Sequence, residues 1–180
     1  MIEVSETPLP GLKLITPSVF SDSRGYFLEV YRSDRFSEIG ITDIFMQDNE
    51  AGSSRGVLRG LHYQNAPHGQ SKLVRVSQGS VFDIAVDLRK DSSTYGQWYG
   101  AVLSAENKFQ LYIPPEFAHG YLALEDNTVF NYKCSQIYAP LSEGGIRYDD
   151  PTVDIQWPEL DIDYIISEKD IELPSFGRHL

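Results

Sequence analysis

The stretch GVLRGLHYQ, residues 56–64, carries two side chains that can do chemistry inside a segment that otherwise suits a buried strand. Arg59 and His62 stand there among three apolar residues. A guanidinium binds anions, and an imidazole exchanges protons near neutral pH. In a strand of this kind, two such groups either face the solvent or face an internal cavity in which a reaction takes place.

The spacing of these two residues matters because successive side chains of a β-strand point to opposite faces. Strict alternation therefore places Arg59 and His62 on opposite faces of the strand. Gly60 lies between them, and a glycine inside a strand often marks a β-bulge. We expect a bulge at Gly60 that turns Arg59 and His62 to the same side.

Two further strand-like segments supply a cation and two phenols. In SKLVRVS, Lys72 shares a face with alternate valines, and in VFNYKCSQIY, Tyr132 and Tyr138 share a face. The interior of a barrel can therefore hold His62 together with Lys72 and both tyrosines. Taken singly, each residue is more often a core or edge-strand residue. The density of all four favours a functional pocket.

The segments that must position these residues are short, strand-like and separated by turn residues. The strand-like segments are YFLEVY (Tyr26–Tyr31), IFMQDNEA, GVLRGLHYQ, KLVRVS, SVFDIAVDLR, WYGAVLS, FQLYIP, HGYLALE and VFNYKCSQIY. Turn chemistry lies between them in SSRG, NAPHGQ, SQGS, PPEF and EDNT. This pattern predicts an all-β fold, a cupin-like double-stranded β-helix or jelly roll.

Short helices and a continuous single domain complete the predicted organisation. SDRFSEIG (Ser33–Gly40) predicts a short helix with Ser33 as N-cap and Gly40 as its stop. The tail DYIISEKDIEL predicts about one helical turn, packed back over the sheet. There is no linker, low-complexity run or internal repeat, so residues 1–180 are expected to form one domain.

Composition excludes several classes of function. The net charge of −11 argues against a broad nucleic-acid or anionic-membrane surface, so any phosphate must be bound by a few local cations. The single Cys134 excludes an intramolecular disulfide and a cysteine metal cluster. The N-terminus lacks a signal-peptide pattern, and no segment is apolar enough to span a bilayer. We therefore expect a cytoplasmic protein.

A metal centre is the alternative to acid–base chemistry, because jelly-roll barrels often bind a metal through two histidines spaced by one residue. Here Gln64 occupies the position of the second histidine after His62. His179 lies at the C-terminal end, which we expect to be frayed, and His62 with His119 alone supplies too few ligands. We expect a pocket without metal or cofactor, in which His, Lys and Tyr side chains transfer protons.

An ordered set of motifs, from about Gly11 to Asp170, resembles the dTDP-4-dehydrorhamnose 3,5-epimerase family. The motifs are RGYFLEVY, MQDNEAGSSRGVLRGLHYQ, GQSKLVRVSQGSVFDIAVDLR, IPPEFAHGYLAL, YKCSQIYAP, DDPTVDIQWP and ISEKD. The resemblance implies a cupin-type jelly roll, a homodimer and no metal. It also implies conversion of dTDP-4-dehydro-6-deoxy-glucose to dTDP-4-dehydro-rhamnose, a step in making the activated rhamnose of surface polysaccharides.

The resemblance also implies catalytic roles. His62 matches the family's base, and Asp170 matches the carboxylate that orients it. Lys72 matches the cation that stabilises the enolate oxygen, and Tyr132 matches the acid that returns a proton from the opposite face of the sugar. These roles agree with the pocket inferred from the residues themselves.

The remaining matches concern binding of the nucleotide and the dimer. Tyr138 matches the ring that stacks on thymine, and Arg24 and Arg59 match contacts to the diphosphate and nearby groups. Because the family's N-terminal strands cross to the partner, Arg24 and Glu29 are expected to serve the neighbouring subunit's site. The other residues that match binding positions are Gln47, Asp48, Asn49, His119, Glu143 and Lys169.

Two alternatives remain open. Tyr148 stands where many family members carry Trp, which leaves room for an epimerase that acts at one carbon only or on a related deoxysugar. A non-catalytic sugar-binding jelly roll is the other alternative. It would need Arg24, Arg59 and Tyr138 to bind its ligand. It would not need the combination of His62, Lys72, Asp170 and Tyr132.

Overall fold

A computed structural model describes residues 2–179, and antiparallel β-strands dominate it. The strands are β1 (Glu3–Glu6), β2 (Lys13–Thr16), β3 (Val19–Asp22), β4 (Gly25–Leu28), β5 (Gln47–Ser53), β6 (Val57–Gln64), β7 (Lys72–Gln78), β8 (Ser80–Asp87), β9 (Trp98–Ser104), β10 (Gln110–Ile113), β11 (Phe117–Ala123), β12 (Thr128–Cys134), β13 (Glu143–Gly145) and β14 (Ile165–Ile166). The helices are α1 (Ser33–Glu38) and α2 (Glu168–Ile171), with a 3-10 turn at Pro140–Ser142.

Two large sheets form the body of the fold. One has the strand order β1-β2-β10-β7-β12-β5, and the other has the order β13-β6-β11-β8-β9, with β14 added parallel to β6. Strands β3 and β4 form a separate two-stranded sheet. The predicted all-β, cupin-like jelly roll is therefore confirmed.

The main core lies between the two large sheets. Val74 and Phe130 from the first sheet meet Ala85, Leu103 and Tyr121 from the second, and all five are buried. Burying a side chain as large as Phe130 contributes about 1.5–3 kcal/mol to the free energy of unfolding. The inward faces of β6, β7 and β12 thus form stiff walls, on which a site can be built.

The N-cap of helix α1 differs from the predicted one, whereas the end of the helix agrees with the prediction. The N-cap residue is Arg32, and Ser33 is already helical, so the prediction of Ser33 as N-cap was wrong. The Arg32 side chain instead pairs with Asp34 at 2.7 Å. Gly40 has a φ of +83°, a left-handed conformation that suits glycine, and its N–H donates to the Ser37 carbonyl.

Two predicted strands differ most from the structure, because they end well before their sequence patterns do. The segment beginning at Tyr26 leaves the extended pairing after Leu28, and β12 ends at Cys134. Tyr138 therefore does not share a strand face with Tyr132, as the alternation predicted, but lies in the loop that follows. The alternating pattern continues into this loop, although the pairing with β5 and β7 does not.

The C-terminal tail packs against the second sheet. Strand β14 pairs with β6, and α2 follows it directly. His179, expected to be frayed, is buried, with its ring stacked on Phe176 at 5.0 Å. The Tyr63 hydroxyl donates to the His179 carbonyl, so aromatic packing and a hydrogen bond hold this end in place. Within residues 2–179, the helices are too short to cross a membrane.

Candidate active site

A β-bulge at Gly60 turns two functional side chains to one side of β6. His62 pairs with His119 and Arg59 with Tyr121 in the neighbouring β11, and the register shifts between these two pairs. Gly60 has a φ of +125°, and a Cβ there would lie 2.7 Å from the Gly120 Cα. Only glycine tolerates this conformation and this close approach. The expected bulge is confirmed, and Arg59 and His62 line the same cavity.

The cavity, of about 320 Å³, is lined by residues from both large sheets and from the C-terminal tail. A volume of this order is typical of small-molecule sites. Its lining includes all four residues expected to be catalytic and three of those expected to bind substrate. The residues are Ala51, Arg59, His62, Lys72, His119, Gly120, Tyr121, Phe130, Tyr132, Ser167, Lys169 and Asp170.

A smaller cavity of about 120 Å³ adjoins the first and shares His62, Lys72 and Tyr132 with it. Four of the residues expected to bind the nucleotide lie here. The lining residues besides the shared three are Gln47, Asn49, Tyr63, Gln64, Gln70, Cys134, Tyr138 and Glu143. The two cavities form one elongated site with the shared residues at its middle.

The His62 imidazole is oriented by a buried carboxylate from the C-terminal tail. His62 Nε2 lies 2.7 Å from Asp170 Oδ1. The backbone N–H of Gly60, in the bulge, donates to the other carboxylate oxygen, Asp170 Oδ2, at 3.2 Å. Burial raises the pKa of Asp170, but the hydrogen bond from His62 and the other contacts outweigh it, so the pKa is below its usual value. An ionised carboxylate only accepts, so Nε2 is the donor, and in the neutral imidazole the lone pair for base chemistry is then on Nδ1.

The sequence signal for this arrangement is the capping pattern in ISEKD. Ser167 is the N-cap of α2, and its hydroxyl accepts from the Asp170 N–H at 3.2 Å. A serine followed three residues later by an acid is typical of a helix N-terminus. The cap fixes the first turn of α2 and thereby the direction of the Asp170 side chain.

Lys72 begins β7 and brings a cation to the middle of the site. Its Nζ lies 3.5 Å from the His62 carbonyl. Burial lowers the pKa of Lys72, an effect that the nearby Cys134 and Asp83 oppose. A cation held away from bulk water interacts strongly with negative charge that develops beside it.

Tyr132 projects from β12 into both cavities. Its ring lies 5.9 Å from that of Phe130. Burial raises the pKa of Tyr132, so the phenol is protonated at neutral pH and can serve as a proton donor.

His119 has a buried acidic partner that the sequence analysis missed. Asp83 Oδ2 lies 2.9 Å from His119 Nε2, and Asp83 is fully buried. Burial raises the pKa of Asp83 and lowers that of His119. Asp83 Oδ1 has no hydrogen-bond partner among residues 2–179. The signal that was available is the acid at the centre of the apolar run VFDIAV, since a charge inside a buried strand needs a partner.

The outer end of the site carries a network around Tyr138. The Tyr138 hydroxyl donates to Glu143 Oε2 at 2.9 Å, and Lys169 Nζ donates to the same oxygen at 2.7 Å. Burial raises the pKa of Glu143, but these two hydrogen bonds bring it below its usual value. The Tyr138 N–H donates to Gln47 Oε1 at 2.8 Å.

Three residues expected to bind substrate lie outside these cavities. Arg24 is on the exposed hairpin of β3 and β4, where it pairs with Asp22. Glu29 lines a neighbouring depression of about 670 Å³, which shares Tyr132 and Asn49 with the site. Asp48 is exposed and pairs with Lys133 at 2.7 Å, while its neighbours in β5 face the site.

Tyr148 lies outside the candidate site. Tyr148 packs edge-on against Tyr164, with ring centroids 6.4 Å apart, and neither residue lines the two cavities. In the part of the chain that the structure describes, no group of three or more His, Cys, Asp or Glu side chains is arranged to hold a metal ion.

Comparison with known proteins gives consistent matches over nearly the whole chain. The family model for dTDP-4-dehydrorhamnose 3,5-epimerase matches residues 6–178. The dTDP-4-dehydrorhamnose 3,5-epimerase of Methanothermobacter thermautotrophicus is 52% identical over 166 residues, which cover 92% of this chain and 89% of that protein.

Two solved structures show the same fold. A dTDP-6-deoxy-D-glucose-3,5-epimerase from Legionella pneumophila, in complex with dTDP-4-keto-L-rhamnose, superposes with a TM-score of 0.95 at 45% identity, covering 98% of this chain and 94% of that one. A 3′-monoepimerase from Streptomyces bikiniensis, in complex with dTDP-quinovose, gives a TM-score of 0.89 at 32% identity, covering 95% and 86%.

Proposed function

Since the chain belongs to the dTDP-4-dehydrorhamnose 3,5-epimerase family, we propose that it converts dTDP-4-dehydro-6-deoxy-D-glucose to dTDP-4-dehydro-L-rhamnose. The observation that carries the proposal is one cavity in which His62, paired with Asp170, meets Lys72 and Tyr132. The greater identity to 3,5-epimerases than to the 3′-monoepimerase supports inversion at two carbons.

The reaction begins with removal of a proton next to a ketone. The hydrogens on carbons 3 and 5 both flank the carbon-4 ketone, so loss of either gives the same kind of enolate. His62 Nδ1 takes the proton, and the Asp170 carboxylate stabilises the imidazolium that forms. One base can therefore serve both carbons in turn.

The enolate oxygen requires a positive partner that is already in place. Lys72 supplies this charge from the middle of the site. Because the ammonium is fixed by β7 before the reaction, little reorganisation is needed when the negative charge develops. Removing a group of this kind typically costs about 10²–10³ in rate.

Inversion requires a new proton from the opposite face of the sugar ring. Tyr132 donates it from its phenol, which its raised pKa keeps protonated until the enolate forms. His62 and Tyr132 project from strands of different sheets, which supports their action on opposite faces of a substrate between them.

Binding of the nucleotide extends from this centre toward Tyr138. The Tyr138 ring stacks on thymine, and Gln47, Asn49 and Glu143 bind polar groups of the nucleotide. Arg59, His119 and Lys169 bind the diphosphate and nearby groups. No metal or other cofactor takes part.

The active unit is a homodimer in which Arg24 and Glu29 complete the neighbouring site. The hairpin of β3 and β4 exposes Phe20, Tyr26 and Phe27, with 63%, 57% and 68% of their surfaces accessible. A two-stranded hairpin is only marginally stable alone, and exposed aromatic patches mark interaction surfaces. Docking on a second copy buries these rings and carries Arg24 toward that copy's cavity.

Incubation with dTDP-4-dehydro-6-deoxy-D-glucose in deuterated water tests the proposal. Deuterium at carbons 3 and 5, with an L-rhamno product observed by NMR, is the expected result. Deuterium and inversion at one carbon only would identify a mono-epimerase. Binding without any exchange would identify a non-catalytic sugar-binding jelly roll.

A further inference from the structure

Gln64 occupies the position where a metal-binding jelly roll would carry its second histidine, and its carboxamide is fully engaged in other contacts. The side chain is buried, with 6% of its surface exposed. Its Nε2 donates to the His68 carbonyl at 2.7 Å and, more weakly, to the Ile137 carbonyl at 3.4 Å. Its Oε1 accepts from the Ala139 N–H at 2.7 Å.

Two of these three hydrogen bonds flank Tyr138 on both sides along the chain. The Ile137 carbonyl belongs to the peptide group before Tyr138, and the Ala139 N–H belongs to the peptide group after it. The Tyr138 N–H donates to Gln47 Oε1. Side-chain amides thus hold both peptide groups of Tyr138.

The loop needs such partners because it has left the sheet. Strand β12 ends at Cys134, so the backbone groups of the following residues lack strand neighbours. Backbone groups that leave a ladder still require hydrogen-bond partners. Only a carboxamide both donates two hydrogens and accepts at its oxygen, so neither Glu nor Met at position 64 can make the same three contacts.

The Tyr138 ring itself is weakly held by packing, because half of its surface is exposed. Its one side-chain hydrogen bond, to Glu143, is also exposed. The direction of the ring therefore depends on the backbone of the loop. A ring that is already oriented binds a planar partner at a lower entropic cost than a mobile ring does.

We propose that Gln64 is a positioning residue that presents the Tyr138 ring as a preformed platform for the nucleotide base. The inference rests on the proposed function, because the base is that of the dTDP-sugar. Gln64 acts through the loop, so its loss weakens recognition of the base and leaves proton transfer by His62 intact.

The first test is Gln64→Met, which keeps the length of the side chain and removes all three hydrogen bonds. The Kd for dTDP, measured by calorimetry, is expected to rise at least tenfold, and KM for the dTDP-sugar is expected to rise in parallel. We expect kcat to change less than threefold. Binding of inorganic diphosphate, which has no base, should change less than twofold. Gln156→Met removes an exposed amide elsewhere and is the matched control.

The second test is a double-mutant cycle with Tyr138→Ala, again followed by the Kd for dTDP. If Gln64 acts through Tyr138, then Gln64→Met should cause little further loss once the ring is absent. Independent losses that multiply, or an unchanged dTDP affinity in folded Gln64→Met, would overturn the inference. If Gln64→Met does not fold, Gln64→Glu serves in its place, because it keeps the acceptor for Ala139 and loses both donations.

The proposed reaction and the proposed role of Gln64 can fail independently of each other. Wild-type protein that binds dTDP but does not turn over the dTDP-sugar would refute the proposed reaction, and the binding cycle would still test the role of Gln64. Equal losses of dTDP and inorganic diphosphate binding in Gln64→Met would assign Gln64 to the whole site rather than to the base platform, and would overturn the inference.

Discussion

Asp170, on a four-residue helix near the C-terminus, lies 2.7 Å from His62 on β6, although 108 positions separate the two residues in sequence. The parallel pairing of β14 with β6 brings α2 to the bulge. The same carboxylate accepts the Gly60 N–H, so it fixes both the imidazole and the backbone that carries it. The C-terminal tail is therefore part of the candidate active site.

Replacement of His62 by Ala should abolish deuterium exchange at both carbon 3 and carbon 5, because the proposed mechanism uses a single base for both positions. The Kd for dTDP should stay within a few fold of wild type, because Tyr138 and Glu143 lie in the adjoining cavity. NMR of the dTDP-sugar in deuterated water measures the exchange. Exchange at either carbon at the wild-type rate would show that a second base exists.

Tyr132→Phe should separate proton removal from inversion. His62 can still form the enolate and return a deuteron to the same face, so exchange with retention continues. Inversion should fall at least tenfold, about 1.4 kcal/mol of barrier, because the opposite face lacks a donor. Loss of the hydroxyl alone keeps the ring in place. Deuterium content and stereochemistry are read in one NMR experiment, and normal inversion would assign the acid to another group.

Dialysis against EDTA should leave the epimerase rate unchanged. The reason is that Gln64 takes the place of a second liganding histidine and that its carboxamide is committed to the loop of Tyr138. Elemental analysis of the purified protein should give no stoichiometric zinc, iron or manganese. Activity that is lost on chelation and restored by one metal would contradict the acid–base mechanism.

Mixing two inactive variants should restore activity if the dimer shares its sites. Arg24→Ala and His62→Ala are expected to be weakly active or inactive alone. After subunit exchange, half of the dimers are mixed, and each mixed dimer has one intact site, so about a quarter of wild-type activity should return. Arg55→Ala alone is the control for loss of an arginine elsewhere, and it should keep nearly wild-type activity because Arg55 lies outside the site and pairs with Asp161. If no activity returns, Arg24 serves the active site of its own subunit and not that of the partner.

The buried carboxylate of Asp87 should make stability depend on pH. Burial raises its pKa, but hydrogen bonds from Arg89, Thr94 and Ser92 lower it to about 2. Because the folded pKa lies below the unfolded value of 3.8, this stabilisation is present above pH 3.8 and is lost as the pH falls toward 2. Asp87→Asn should therefore lower the free energy of unfolding by about 2 kcal/mol at pH 7 and by about half of that at pH 3.

Urea unfolding at several pH values measures this difference. Asp91→Asn, which changes an exposed carboxyl in the same loop, is the matched control and should shift stability by less than about 0.5 kcal/mol. A loss for Asp87→Asn that does not vary with pH would mean that the role of Asp87 is packing rather than charge.

Much of the fold and the centre of the site could be predicted from local sequence. Alternating apolar residues between turn residues predicted the sheets, because each strand must bury one face. Gly60 predicted the bulge, because only glycine accepts its backbone conformation and the approach of Gly120. The residue types at His62, Lys72 and Tyr132 indicated acid–base chemistry, and motif order indicated the family.

Tertiary structure decided what depends on contacts between distant segments. The local pattern indicated that Asp83 needs a partner, but it did not identify His119 as that partner or show that Gln64 would hold the loop of Tyr138. The register of the sheets makes these contacts. The alternation in β12 even misplaced Tyr138, since the strand ends where its neighbours end. Residue types thus determined which reactions are available to this chain, whereas strand pairing over long sequence separations determined which side chains meet to perform them.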